Sequence, residues 1–393
     1  MIKTKFILGE AGTAKSTLIL YSIEELDDYV CLALTHSAVR NLSNKFAENH
    51  ETDKEYLDDH FKTIHSFFRL KFDDEGNEIF VLNRQIDVPD YIFIDEISLV
   101  SLTIINIIYE TILNNITPDR VINLILVGDL LQLNPINTFK LLIDYHKLFN
   151  VPNIKIRFQE AMLIASHLSN NIYSTNYYHD ADKIVLTKNY RSNSNVIKIL
   201  YSVLDNINNV NKYIIKDINK YVEKGYIILS SRYDYLKELY ERINKSNYTY
   251  SIKTHIGLLY FNNNDELLLT KNLNKNFVNG DKIKIIFNDN IIRITNVRNI
   301  NNNSSEDYYE FIYNQFEIYP FLPLNFLTIH KSQGLSINKV LVVLDDMFEI
   351  TMLYTAITRA IEDVKFTILH KMDYKKMNLY NKSFNILKTI LYS

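Results

Sequence analysis

The 393-residue chain has no tryptophan, one cysteine, eight glycines and six prolines. A lone Cys31 excludes an intramolecular disulfide and any multi-cysteine zinc site, which points to a reducing compartment. Long apolar runs are also missing. The most apolar stretch, residues 97–113, is broken by Ser98, Ser101, Thr103, Asn106 and Glu110, and the opening MIKTKFILGEAG is too short an apolar run for a secretory signal. A soluble, cytoplasmic protein is expected. Basic charge is not in excess: 43 Lys+Arg stand against 46 Asp+Glu, a formal charge of −3. Without an overall positive field, any nucleic acid would have to be held in a local groove.

What is present is ordinary for a globular chain, with 47% hydrophobic and 23% charged residues and a length that suggests two or three domains. The abundance of Ile, Asn, Lys and Tyr resembles translation from AT-rich DNA and fits a phage, virus or mobile element. The first half alternates short apolar runs with amphipathic ones: residues 5–8, a glycine-bearing turn, 16–26, 30–34 and a helical pattern over 37–49. This βαβ rhythm predicts a parallel sheet. Two more buried strands, at 91–94 and 121–127, end in Asp-Glu and Gly-Asp, placing acidic groups where doubly wound sheets bind ligands. Residues 72–82, FDDEGNEIFVL, read as an inserted β-hairpin or a plain surface loop. A second βα rhythm runs through 225–230, 233–244, 340–344, 351–360 and 364–369. Within it, residues 249–325 turn to short strand-like runs (LLYF, LLLT, KIKIIF, IIRIT) between Asn-rich turns, the pattern of a small β-barrel, and NINNNSSED at 299–307 reads as a flexible loop.

Residues 9–17, GEAGTAKST, sit between a predicted strand and helix and match the phosphate-cradling loop, with Ala14 in place of its last glycine. Such a loop surrounds phosphates with backbone N–H groups and a helix N-terminus; Lys15 supplies a point charge and Ser16 a hydroxyl for Mg2+. In IFIDEISL, Asp95 is suited to a magnesium shell and Glu96 to deprotonating an attacking water, the alternative being a charge pair at a helix start. LVGDLLQLNPI brings Gly128, Asp129 and Gln132 after another strand, where the amide either senses a terminal phosphate or bonds to its own loop. Arg191 in LTKNYRSN and Arg359 in LYTAITRA offer planar guanidinium groups, suited to phosphate oxygens or to surface ion pairs. LTIHKSQGLSINKV, residues 327–340, combines hydroxyls with His330, Lys331, Gln333 and Gly334 ahead of a buried strand.

Taken in order, GEAGTAKST, THSAV, TIHSF, DEIS, GDLLQLNP, NYRS, TIHKSQG and YTAITRA resemble the motifs of superfamily 1 helicases, closest to the RecD-like and Dda-like branch, superfamily 1B. The resemblance implies an α/β fold of two RecA-like parallel-sheet domains with a β-hairpin pin and a small SH3-like β-barrel as inserts. It divides the chain into 1–180 with the pin at about 67–90, 181–248 with 326–393, and the barrel at 249–325. It implies that ATP and Mg2+ are held by Gly9, Glu10, Ala11, Gly12, Thr13, Ala14, Lys15, Ser16, Thr17, Tyr190, Gln333 and Gly334, with Ser16 and Asp95 on the metal and Tyr190 stacked on the base. Lys15, Asp95, Glu96 and Gln132 of the first domain, with Arg191 and Arg359 of the second, would carry hydrolysis. Thr35, His36, Thr63, His65, Thr328, His330 and Lys331 would line a single-stranded DNA path. The implied activity is ATP-dependent 5′ to 3′ unwinding of duplex DNA by a monomer, with replication or recombination proteins as partners; an RNA helicase and a nucleotide-gated single-strand loader are the alternatives. The family's adenine-reading glutamine upstream of the first motif has no place before Gly9, so weak base selectivity is expected.

Overall fold

Central strands buried along most of their length build the first sheet, as parallel pairing requires, with an exposed strand, residues 182–186, at one edge. The computed structural model describes residues 1–72, 78–80, 86–117, 119–135, 156–169, 171–242, 248–255, 257–274, 277, 281–297, 308–315 and 317–392. They fall into two compact units, one of Met1–Asn208, Glu349–Thr358 and Tyr374–Ser393, the other of Asn209–Phe348 and Arg359–Asp373. No helix among them is long and apolar enough to cross a membrane.

In the first unit, β1 (Ile2–Gly9) leads through the loop of residues 10–14 into α1 (Lys15–Ile23), followed by β2 (Tyr29–Ala33), α2 (His36–Ala47), α3 (Lys54–His60), β3 (Phe61–Thr63) and α4 (Ile64–Phe67). A short antiparallel pair follows, β4 (Leu70–Phe72) with β5 (Glu78–Phe80), at the position of the expected hairpin; residues 73–77 and 81–85 lie outside the described residues. Then come β6 (Tyr91–Ile94), α5 (Leu102–Asn115), β7 (Ile122–Gly128), α6 (Phe158–Leu168), α7 (Asn176–His179), β8 (Asp182–Leu186) and α8 (Ser194–Asp205). The sheet order is β3-β2-β6-β7-β1-β8, and its pairs are parallel. Ile19, Leu20 and Ile23 of α1 pack with Ile7, Cys31, Phe93 and Val127 of the strands, one buried core that fixes where the strand ends point.

The second unit holds α9 (Ile218–Glu223), β9 (Ile227–Ser230) and α10 (Tyr233–Arg242), then the ribbon of β10 (Tyr250–Thr254) with β11 (Gly257–Phe261). Next are β12 (Glu266–Leu269), β13 (Lys282–Asn288), β14 (Ile291–Asn296), β15 (Tyr308–Ile312) and β16 (Phe321–Pro323), an antiparallel sheet ordered β15-β14-β13-β12-β16. Its two edge strands meet through the rings of Phe311 and Phe321, 5.6 Å apart, so the sheet is curled. The expected flexible loop at 299–307 lies outside the described residues. A second parallel sheet, β17-β9-β18-β19, uses β17 (Phe326–Thr328), β18 (Ile337–Val343) and β19 (Ala360–Thr367). The remaining helices, α11 (Met352–Ile357) and α12 (Tyr374–Tyr392), belong to the first unit.

The boundary expected after residue 180 is corrected by this layout. β8 pairs with β1 from Lys5↔Asp182 to Gly9↔Leu186, so the NYRS segment is anchored in the first sheet, and α12 returns to the first unit, where Asn381 Nδ2 donates to Val203 O at 2.7 Å. A buried amide bonded to a helix-end carbonyl outweighs sequence proximity.

Candidate functional site

The glycine-bearing turn after β1 needs two left-handed residues, Gly12 at φ 84° and Ala14 at φ 62°. Ala14 caps α1 without a side-chain hydrogen bond, and its carbonyl accepts from Leu18 N at 3.0 Å. The NYRS segment lies on this turn: Tyr190 N donates to Gly12 O at 2.7 Å and Asn189 Nδ2 to Ala11 O at 2.8 Å. Asn189 Oδ1 in turn accepts from Arg191 N and Ser192 N at 2.9 and 3.0 Å. A Cβ on Gly12 would stand 2.8 Å from Asn189 Nδ2 and 2.9 Å from Arg191 Cβ, and one on Gly9 would stand 2.6 Å from Leu186 O. Asn189 was not singled out from the sequence; its role depends on a contact across 178 residues.

Within the loop, Lys15 Nζ donates to Gly9 O and Glu10 O, each at 2.8 Å, and Thr13 Oγ1 to Glu10 O at 2.8 Å. Ser16 Oγ donates to Asp95 Oδ2 at 2.7 Å, joining the start of α1 to the end of β6. Asp95 Oδ1 accepts from Glu96 N at 2.9 Å, and Glu96 turns away from the strand at φ 56°. Gln132 Nε2 donates to Asp129 Oδ2 at 3.2 Å. Arg191 feels Glu96 most strongly, then Tyr354, Asp129 and Asp95; these raise its pKa, while burial, the larger effect, pulls the guanidinium below its ordinary value. The planar guanidinium fork fits carboxylate and phosphate oxygens alike. Tyr190 is 65% exposed, with Lys188 Nζ 4.8 Å from its ring centroid, and Thr17 is exposed.

The three threonines expected on a strand path share one local structure. Thr35 Oγ1 accepts from Ala38 N at 3.2 Å and Thr63 Oγ1 from Ser66 N at 3.1 Å, each starting a helix just beyond a parallel strand. In the second unit Thr328 Oγ1 accepts from Lys331 N at 3.2 Å after β17. Thr35 and Thr63 cap α2 and α4, while the Thr328 hydroxyl accepts ahead of a short 3-10 turn, and the Thr35 hydroxyl also lies 3.1 Å from Ser37 Oγ. His36 is exposed beside Thr35, and His65 follows Thr63 in α4. His330 stacks on Phe348 with centroids 6.1 Å apart, and Lys331 Nζ lies 5.6 Å from the Tyr233 ring; burial lowers the pKa of both cations. Phe348 and Tyr233 were not expected there.

Gln333, Gly334 and Arg359 also belong to the second unit. Gly334 is left-handed at φ 75°, and Arg359 is 2% exposed with its carbonyl accepting from Ile337 N at 2.9 Å. The first unit thus gathers the loop of residues 9–17, Thr35, His36, Thr63, His65, Asp95, Glu96, Gln132, Tyr190 and Arg191, and the second carries Thr328, His330, Lys331, Gln333, Gly334 and Arg359.

Residues 2–138 match the AAA domain family. The whole fold is similar to solved Pif1 helicases. One, from Bacteroides in complex with ADP-AlF3 and single-stranded DNA, is 16% identical with a TM-score of 0.61, over 95% of this chain and 90% of that one. A structure of two coordinating Pif1 helicases at forked duplex DNA gives 18% identity and 0.60, over 95% and 89%. Pif1 from Candida albicans gives 16% and 0.54, over 99% and 96%. No curated protein matches the sequence.

Proposed function

We propose that this chain, whose fold is similar to that of solved Pif1 helicases, is an ATP-driven DNA helicase of superfamily 1B that moves 5′ to 3′ along a single strand and opens the duplex ahead. The observation that carries the reading is the Ser16–Asp95 bond at 2.7 Å beside Lys15, Glu96 and Arg191, which sets a hydroxyl and a carboxylate side by side at the mouth of a phosphate loop. That donor pair suits Mg2+, which takes few protein ligands and completes its shell with phosphate and water oxygens. Ser16 and Asp95 would hold the ion, whose chemistry is to neutralise charge on the β- and γ-phosphoryl oxygens.

Lys15 exchanges its bonds to Gly9 O and Glu10 O for phosphate oxygens. Glu96 accepts a proton from the attacking water, Gln132 orients that water against the terminal phosphoryl group, and Arg191 offsets the charge that develops. Tyr190, exposed and hinged on the loop through its own N–H, stacks on the base. Arg359 of the second unit is proposed as a further hydrolytic arginine. The strand ends at Thr35, Thr63 and Thr328, with His36, His65, His330 and Lys331, contact phosphate and sugar without reading sequence.

The test is hydrolysis of ATP with and without oligo(dT), by the parent and by Lys15→Ala, Glu96→Gln and Arg359→Ala. Stimulation by the strand in the parent and loss of at least about 100-fold in the first two variants is expected, the scale of removing one transition-state group. Equal hydrolysis by Glu96→Gln would remove Glu96 as the base. Duplexes with only a 5′ or only a 3′ tail test direction, and stronger stimulation by poly(U) than by poly(dT) would favour RNA.

A further inference from the structure

Asp129 is 2% exposed, and its carboxylate is saturated by four donors. Oδ1 accepts from Leu131 N at 3.1 Å and from Tyr392 Oη at 2.7 Å; Oδ2 accepts from Gln132 Nε2 at 3.2 Å and from Tyr354 Oη at 2.6 Å. Each oxygen therefore takes one bond from its own loop and one from a tyrosine on a distant helix, α12 or α11. The Tyr354 hydroxyl has a second partner: it accepts from Ala11 N at 3.0 Å, inside the phosphate loop. The same loop is gripped by Glu10, which pairs with Lys388 of α12 and accepts from Tyr201 Oη at 2.9 Å. Two helices thus reach both the loop that would cradle phosphate and the loop that carries Gln132.

We infer that Tyr354 and Tyr392 are positioning residues that set Gln132 and the phosphate loop through the Asp129 carboxylate. Tyr392 acts on the loop of Gln132, through Asp129 and the Leu130 backbone, and Tyr354 acts on that loop and on Ala11. The reasoning is one of directional supply. Gln132 Nε2 makes the longest of the four bonds, so the side-chain rotamer of Asp129, and with it the place of that amide, is dictated by the two short tyrosine bonds. Burial and the neighbouring carboxylate push both phenols well above their ordinary pKa, which keeps them donors. The inference rests on the reading of Gln132 as the group that recognises a terminal phosphate.

Phenylalanine keeps each ring and deletes one hydroxyl. Tyr392→Phe should lower kcat for ATP about tenfold and weaken binding of a non-hydrolysable ATP analogue, with ADP binding changed less than about twofold. Tyr354→Phe should show the same loss and also weaken ADP about fivefold, because the Ala11 N–H loses its acceptor. In a Gln132→Ala background, Tyr392→Phe should change kcat less than twofold, since the group it positions is gone. Parental kcat and parental ATP-over-ADP preference in a folded Tyr392→Phe would overturn the inference, as would an undiminished tenfold effect in the Gln132→Ala background. A parent that hydrolyses no ATP overturns the helicase reading instead; the analogue and ADP titrations then still decide the inference.

Discussion

Ala14 holds a conformation that costs an L-residue about 1–2 kcal/mol and that glycine adopts freely. Replacing it by glycine should therefore stabilise the first unit by about 1 kcal/mol, a rise in Tm of about 2–4 °C, and leave nucleotide affinity equal or better. A fall in Tm or affinity would show that the methyl makes a contact worth more than the strain. Gly12 lies at the opposite extreme. It is left-handed and its Cβ would enter the Asn189 and Arg191 side chains, so Gly12→Ala should cost about 2 kcal/mol or more and lower nucleotide affinity more than tenfold in titration calorimetry. The two positions lie two residues apart in one loop, yet the expected effects have opposite sign.

At the level of elements, the loop after β7 is held from the side of α6 as well as by the tyrosines. His167 Nε2 bonds to Leu130 O at 3.0 Å, and the His167 carbonyl accepts from Asn134 Nδ2 at 2.7 Å, so one residue fixes both flanks of Gln132. The bond to a carbonyl requires the Nε2–H tautomer. Burial is the main cause that lowers the His167 pKa to about 4 from 6.5. The unfolded chain binds a proton that the folded one refuses, so this contribution to stability is complete above about pH 6.5 and is lost as pH falls toward 4. The difference corresponds to about 3 kcal/mol. Urea unfolding of the parent should weaken progressively over that interval, and His167→Gln, which has no such proton to take up, should show a flatter profile. An equal slope in the variant would assign the acid sensitivity to other groups.

For the whole molecule, two compact units imply two cooperative transitions in calorimetry. The loop residues, Asp95 and Arg191 all belong to one unit, so ADP at about 100 times its Kd should raise that unit's transition by about 2.7 kcal/mol, and Lys15→Ala should abolish the rise. A parent whose transitions both ignore ADP would contradict the site. The sequence by itself determined what depends on short spacing: the strand–loop–helix of residues 2–23 and the acidic ends of β6 and β7. These are legible because backbone periodicity acts over a few residues. The unit to which β8 belongs was not legible, since DKIVL is a short, mostly exposed strand with no pattern that prefers one sheet over another. Nor were the bonds of Tyr354 and Tyr392 to Asp129, across 225 and 263 residues. Only the tertiary structure decided these, because a buried carboxylate takes its donors from whatever the packed helices bring within reach, and spacing along the chain carries no record of that choice.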